Sequence, residues 1–175
     1  MKCIQYIIDF FNHPFFIIIG GLTTLLVIIG FCYTIYLIIK GVFPVWYRLG
    51  KGLSKRKIAI FANEEFDNLR DMLVDSKIFE AKNIVKIEKN SIKKAEPITL
   101  FLVHWKYFKA EIDNVLKIKN DSDALIIYAP QKEGSIAKDK LEKINLERNS
   151  IIVNFRGRLL NDILTCMITT SYDKK

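Results

Sequence analysis

The stretch FFIIIGGLTTLLVIIGFCYTIYLII, residues 15–39, decides how the rest of the chain is read. It holds 25 residues without a charge. At about 1.5 Å per helical residue it is longer than the roughly 30 Å hydrocarbon core of a bilayer. It is too long for the apolar core of a signal peptide, and no small-residue cleavage site follows it. A transmembrane helix over 15–41 is therefore expected. Residues 57–175 are polar enough, and numerous enough, for one compact soluble domain.

Charge sets the expected orientation. Residues 1–56 carry Lys2, Lys40, Arg48, Lys51, Lys55 and Arg56 against Asp9 alone, whereas 57–175 carry 21 Lys and Arg against 18 Asp and Glu. Most of the excess positive charge thus flanks the apolar run on its C-terminal side. The positive-inside rule then leaves the N-terminus outside and the C-terminal domain in the cytoplasm, at the inner membrane of a bacterium-like cell. Tyr33, Tyr36, Trp46 and Tyr47 would form an aromatic belt at that interface. Basic residues placed there point to anionic lipid rather than to duplex nucleic acid, which is not expected as a partner. Cys3, Cys32 and Cys166 form no CxxC or Cys/His cluster, so neither a zinc site nor any other cofactor is expected.

Three further features belong to the N-terminal third. Residues 1–14 read as an interfacial segment, punctuated by Asn12, His13 and Pro14. Gly20, Thr23, Val27, Gly30 and Thr34 recur at three-to-four spacing, a small-residue stripe through which membrane helices approach one another. Self-association into a homo-oligomer is the functional reading of that stripe, against the common occurrence of Gly and Thr in membrane helices. Residues 42–56 read as a basic juxtamembrane linker. Gly50 and Gly52 weaken a helix there, so a flexible strap is expected.

From Arg56 onward the pattern alternates. Apolar runs at 58–62, 84–87, 99–103, 124–129 and 151–155 read as strands buried on both faces, with helical periodicity between them. Five such strands imply an α/β domain with a doubly wound parallel sheet, and the flavodoxin-like order 2-1-3-4-5 fits best. Ligands of such sheets bind outside the carboxyl ends of the strands. Those ends offer Asn63, Glu64 and Glu65, then His104 and Trp105, and finally Asn154, Arg156, Gly157 and Arg158. Two arginines around a glycine before a helix suit phosphate oxygens. His104 could hydrogen bond a ligand and Trp105 could stack on a base. The competing reading pairs Arg158 with Asp162, leaves Arg156 solvated and packs Trp105 in the core.

The alternation resembles three families. Receiver domains carry acidic residues after strand one, an aspartate after strand three and a lysine after strand five. Here Glu64 and Glu65 match, but His104 and Asn154 occupy the other two places, which argues against phosphorelay. Flavodoxins carry a Ser/Thr/Gly-rich phosphate loop after strand one, where this chain has Asn63-Glu64-Glu65. TIR domains carry a glutamate in the helix after strand three, a place held here by Glu111. The whole architecture is similar to the CRISPR-associated Rossmann-fold sensors and other bacterial antiphage effectors that join a membrane helix to a small cytoplasmic domain. That resemblance rests on no diagnostic motif. It implies a nucleotide second messenger as ligand and a response at the membrane. The alternatives are an anchor that recruits a cytoplasmic protein partner, and a TIR-like nucleotide hydrolase using Glu111 or His104.

Overall fold

The computed structural model describes residues 4–6, 10 and 12–170, so Lys2, Cys3, Asp9 and much of the expected interfacial segment lie outside it. The chain divides into two compact units, Met1–Val45 and Trp46–Lys175. The first unit is dominated by the helix α1, Pro14–Lys55, which has one stretch long and apolar enough to cross a membrane. None of that stretch is buried within the protein. The hydroxyls of Thr23 and Thr34 donate to the carbonyls of Ile19 and Gly30, each at 2.8 Å. These bonds satisfy the two polar side chains within their own helix, which an apolar surrounding requires.

The second unit is a five-stranded, all-parallel sheet in the order β2-β1-β3-β4-β5. The strands are β1 Ile58–Phe61, β2 Ile84–Ile87, β3 Leu100–His104, β4 Ala124–Tyr128 and β5 Ser150–Val153. The helices between and after them are α2 Phe66–Asp75, α3 Trp105–Phe108, α4 Ile112–Ile118, α5 Lys138–Leu146 and α6 Arg156–Thr169. Central strands β1, β3 and β4 are buried along their whole length, which explains their continuous apolar sequence.

Alternate side chains feed two cores. Ile58, Ile60, Leu100, Leu102 and Ile126 face α2 and α6, where Leu69, Leu73, Leu159 and Ile163 meet them. Ala59, Phe61, Phe101, Val103 and Ile127 face the other side, against Phe108, Ile112, Val115 and Ile144. The helical segment between β3 and β4 is broken into α3 and α4. Trp105, Phe108, Ile112 and Val115 nevertheless keep three-to-four spacing and all stay buried.

The expected strap at 42–56 is instead helical to Lys55, and from Trp46 it belongs to the sheet unit. Leu49 and Leu53 pack on the first core. Gly52 is buried, and a Cβ there would meet the Met167 methyl at 3.4 Å, an ordinary van der Waals distance. Burial of these residues outweighs the roughly 1 kcal/mol that each glycine costs a helix.

Arg56 closes this junction. It is 3% exposed. Its Nε donates to Thr99 Oγ1 at 2.9 Å, and its Nη2 donates to Thr99 O and Thr170 Oγ1 at 2.7 Å each. Burial lowers its pKa to about 10, so it remains a cation at neutral pH. One side chain thereby ties the end of α1 to the start of β3 and the end of α6. Replacing Arg56 by Met keeps an apolar stem but strands those acceptors. It is expected to cost about 3 kcal/mol, read by urea unfolding of the full chain in neutral micelles. Lys57→Met, at an exposed neighbour, should stay within about 0.5 kcal/mol of wild type.

Candidate functional site

The strand order reverses between β1 and β3, so the loops after these strands diverge and leave a crevice at the carboxyl edge. Tyr107 bridges it, its hydroxyl donating to Glu64 Oε2 at 2.6 Å. That hydrogen bond raises the Tyr107 pKa to about 12. Beside it, Asn68 Nδ2 donates to Glu65 Oε2 at 2.9 Å, and Arg156 Nη2 donates to Asn68 O and Oδ1 at 3.0 and 2.6 Å. A polar chain thus links the first turns of α2 and α6.

His104 ends β3 and is fully buried. Its ring lies 5.1 Å from that of Tyr107 and 5.6 Å from that of Tyr128. Nε2 is 3.1 Å from Glu133 Oε2, while Lys106 Nζ lies 3.7 Å from the other oxygen of that carboxylate. Nδ1 of His104 makes no hydrogen bond. Burial lowers the His104 pKa, with Glu133 opposing the shift, so the imidazole is held neutral. Burial likewise raises the pKa of Tyr128.

A cleft of about 340 Å³ opens on the same edge, between the loop after β4 and the end of β5. Ala129, Ile136, Leu141 and Ile152 give it an apolar lining, and Gln131, Ser135 and Asn154 supply polar groups. Gly134 sits at φ 97°, a conformation that favours glycine and lets the loop turn around the cleft. Glu133, in the same loop, is the side chain that reaches His104. An apolar cleft with a few polar groups beside a perturbed titratable residue is the usual form of a small-molecule site.

The sequence-derived candidates separate here. Asn154 lines the cleft and His104 belongs to the adjoining polar cluster. Arg156 and Arg158 lie in the first turn of α6 rather than in a loop, because β5 ends at Val153. Arg156 is engaged by Asn68, and Arg158 is 3.7 Å from Asp162. Trp105 is buried in the second core. Asn63 is exposed in the turn after β1, where its carbonyl accepts from Phe66 N. Glu111 accepts from Asn114 Nδ2 at 2.6 Å at the start of α4. Tyr107, Asn68, Glu133 and Ser135 were not singled out by sequence, since none lies in a local motif. Among the described residues, no three His, Cys, Asp or Glu side chains converge as a metal site would need.

No protein-family model, curated protein or solved structure matches the chain.

A neutral, buried His104 makes stability depend on pH. Its folded pKa lies below the ordinary value of 6.5. The unfolded state therefore binds more protons in the window between those two values, and stability falls as pH drops through it. The melting temperature of the full chain should decline on acidification from about pH 8 to about pH 5, and His104→Asn should flatten that decline.

Proposed function

We propose that this chain is a membrane-anchored sensor or effector. In this reading α1 spans the bilayer, the sheet unit lies in the cytoplasm, and a nucleotide-type signal binds at the carboxyl edge. The observation that carries it is the cleft at that edge, beside a buried histidine whose Nε2 lies 3.1 Å from Glu133 and whose Nδ1 makes no hydrogen bond. A planar base suits the apolar lining, with Gln131, Ser135 and Asn154 available to its polar edge. Arg156 uses only Nη2 on Asn68, which leaves Nη1 and Nε for a phosphate near the free amides of α6.

Binding would change how the anchors assemble through the stripe Gly20, Thr23, Val27, Gly30 and Thr34, giving a homo-oligomeric response. Support for coupling comes from Leu49, Leu53 and Arg56, by which the end of α1 is built into the sheet unit. A ligand shifts such an assembly only by its differential affinity for the two states. A setting in antiphage defence is the one that the architectural resemblance implies.

A second reading has its own support. Leu146 and Phe155 are 86% and 58% exposed, the large apolar side chains left open beyond α1 among the described residues. They flank the uncharged edge strand β5, a place where a recruited cytoplasmic protein could dock.

Thermal unfolding of the full chain in neutral micelles, against mononucleotides, dinucleotides and cyclic oligonucleotides, separates the readings. One class should raise the melting temperature by several degrees, and Asn154→Ala or Arg156→Ala should abolish the rise. If no class shifts it, the nucleotide reading fails. Capture of a cytoplasmic protein that is lost in Leu146→Asp and Phe155→Asp would then favour recruitment.

A further inference from the structure

The opposite, amino-terminal edge of the sheet carries a second cleft, of about 310 Å³, lined by Lys55, Arg56, Lys57, Val85, Lys94, Pro97, Ile98 and Thr99. We propose that this cleft binds the phosphate-bearing headgroup of an anionic lipid.

Charge is the first argument. Lys82, Lys106, Lys119, Lys140 and Lys143 each lie against a carboxylate. Lys55, Lys57 and Lys94 converge on one cleft, and no carboxylate among the described residues pairs with any of them. Three like charges gathered around a low-dielectric wall focus a positive potential into the space between them.

The second argument is Arg56, which lines the same cleft. Its guanidinium is spent on Thr99 and Thr170 through Nε and Nη2, yet its Nη1 is buried without a hydrogen-bond partner. A buried donor on a cation is costly to leave unmade. An anionic oxygen seated between the lysines would supply the missing acceptor, adding to the buried Asp123 carboxylate that already acts on Arg56. Arg56 thus contributes structure through two nitrogens and leaves the third for a ligand.

Connectivity selects the lipid. Lys55 is the last residue of α1, the helix whose apolar stretch has the length and composition to cross a membrane. Tethering by α1 confines the sheet unit to the neighbourhood of a bilayer, which raises the effective concentration of phospholipid headgroups over that of a free anion. Val85, Pro97 and Ile98 add apolar surface for the glycerol part of the headgroup. This site is independent of the carboxyl-edge cleft, so either can fail without the other.

The test uses the full chain in neutral micelles, titrated with short-chain phosphatidylglycerol, short-chain phosphatidylcholine or inorganic phosphate, with thermal unfolding as readout. Phosphatidylglycerol should raise the melting temperature saturably by about 5 °C, and phosphatidylcholine should not. The triple substitution Lys55→Gln, Lys57→Gln, Lys94→Gln should fold and lose the rise. The same charge removed at exposed Lys109, Lys117 and Lys138 should keep it. Equal stabilisation by inorganic phosphate would overturn the lipid assignment in favour of a free-anion site. No rise with any of the three, or a rise that survives the first triple substitution, would overturn the site itself.

Discussion

The buried guanidinium of Arg56 is the constraint on which the rest of the sheet unit depends. A charge taken out of water is tolerated only when hydrogen bonds replace its hydration, and Thr99 and Thr170 do so from two separate elements. Thr170 Oγ1 also donates to Cys166 O, and Asn83 Nδ2 donates to Ser54 O at 3.3 Å, so the surrounding backbone is fixed as well. The consequence is that α1 does not end as a tether. Its last turns are part of the first core, through Leu49 and Leu53.

A parallel sheet has two unlike edges, and this chain furnishes them differently. The carboxyl edge combines carboxylates, tyrosines and a neutral histidine around an apolar cleft, a mixture that suits an uncharged planar group with some anionic character nearby. The amino edge gathers three lysines around a buried arginine backed by Asp123, which suits an anion. Chemistry that reads a signal and chemistry that holds a membrane surface would then lie at opposite ends of the same five strands. Binding at one need not compete with binding at the other.

Much of this architecture was legible in the sequence. Strands buried on both faces cannot tolerate polar residues, so 58–61, 100–103 and 124–128 stand out as continuous apolar runs, and right-handed crossovers leave few orders for five of them. What sequence did not reveal depends on distant partners. Gly50 and Gly52 argue locally against a helix, and only the packing of Leu49 and Leu53 on a core drawn from distant strands shows why one forms. Arg156 looks free until Asn68 is placed beside it. Tyr107 and Glu133 matter through Glu64 and His104, contacts that no spacing rule announces. Trp105 follows a strand end directly, and its place in the core was settled by the short helix that begins with it.

The account stands on the apolar segment of α1 residing in lipid with the sheet unit on the cytoplasmic side. Protease digestion of membrane vesicles from cells expressing the full chain, before and after alkaline carbonate extraction, measures both at once. The account predicts an intact chain that stays with the membrane pellet after carbonate and loses its sheet unit to protease only in inside-out vesicles. A chain cleaved after residue 39 and released in soluble form, or a sheet unit digested in right-side-out vesicles, would contradict it.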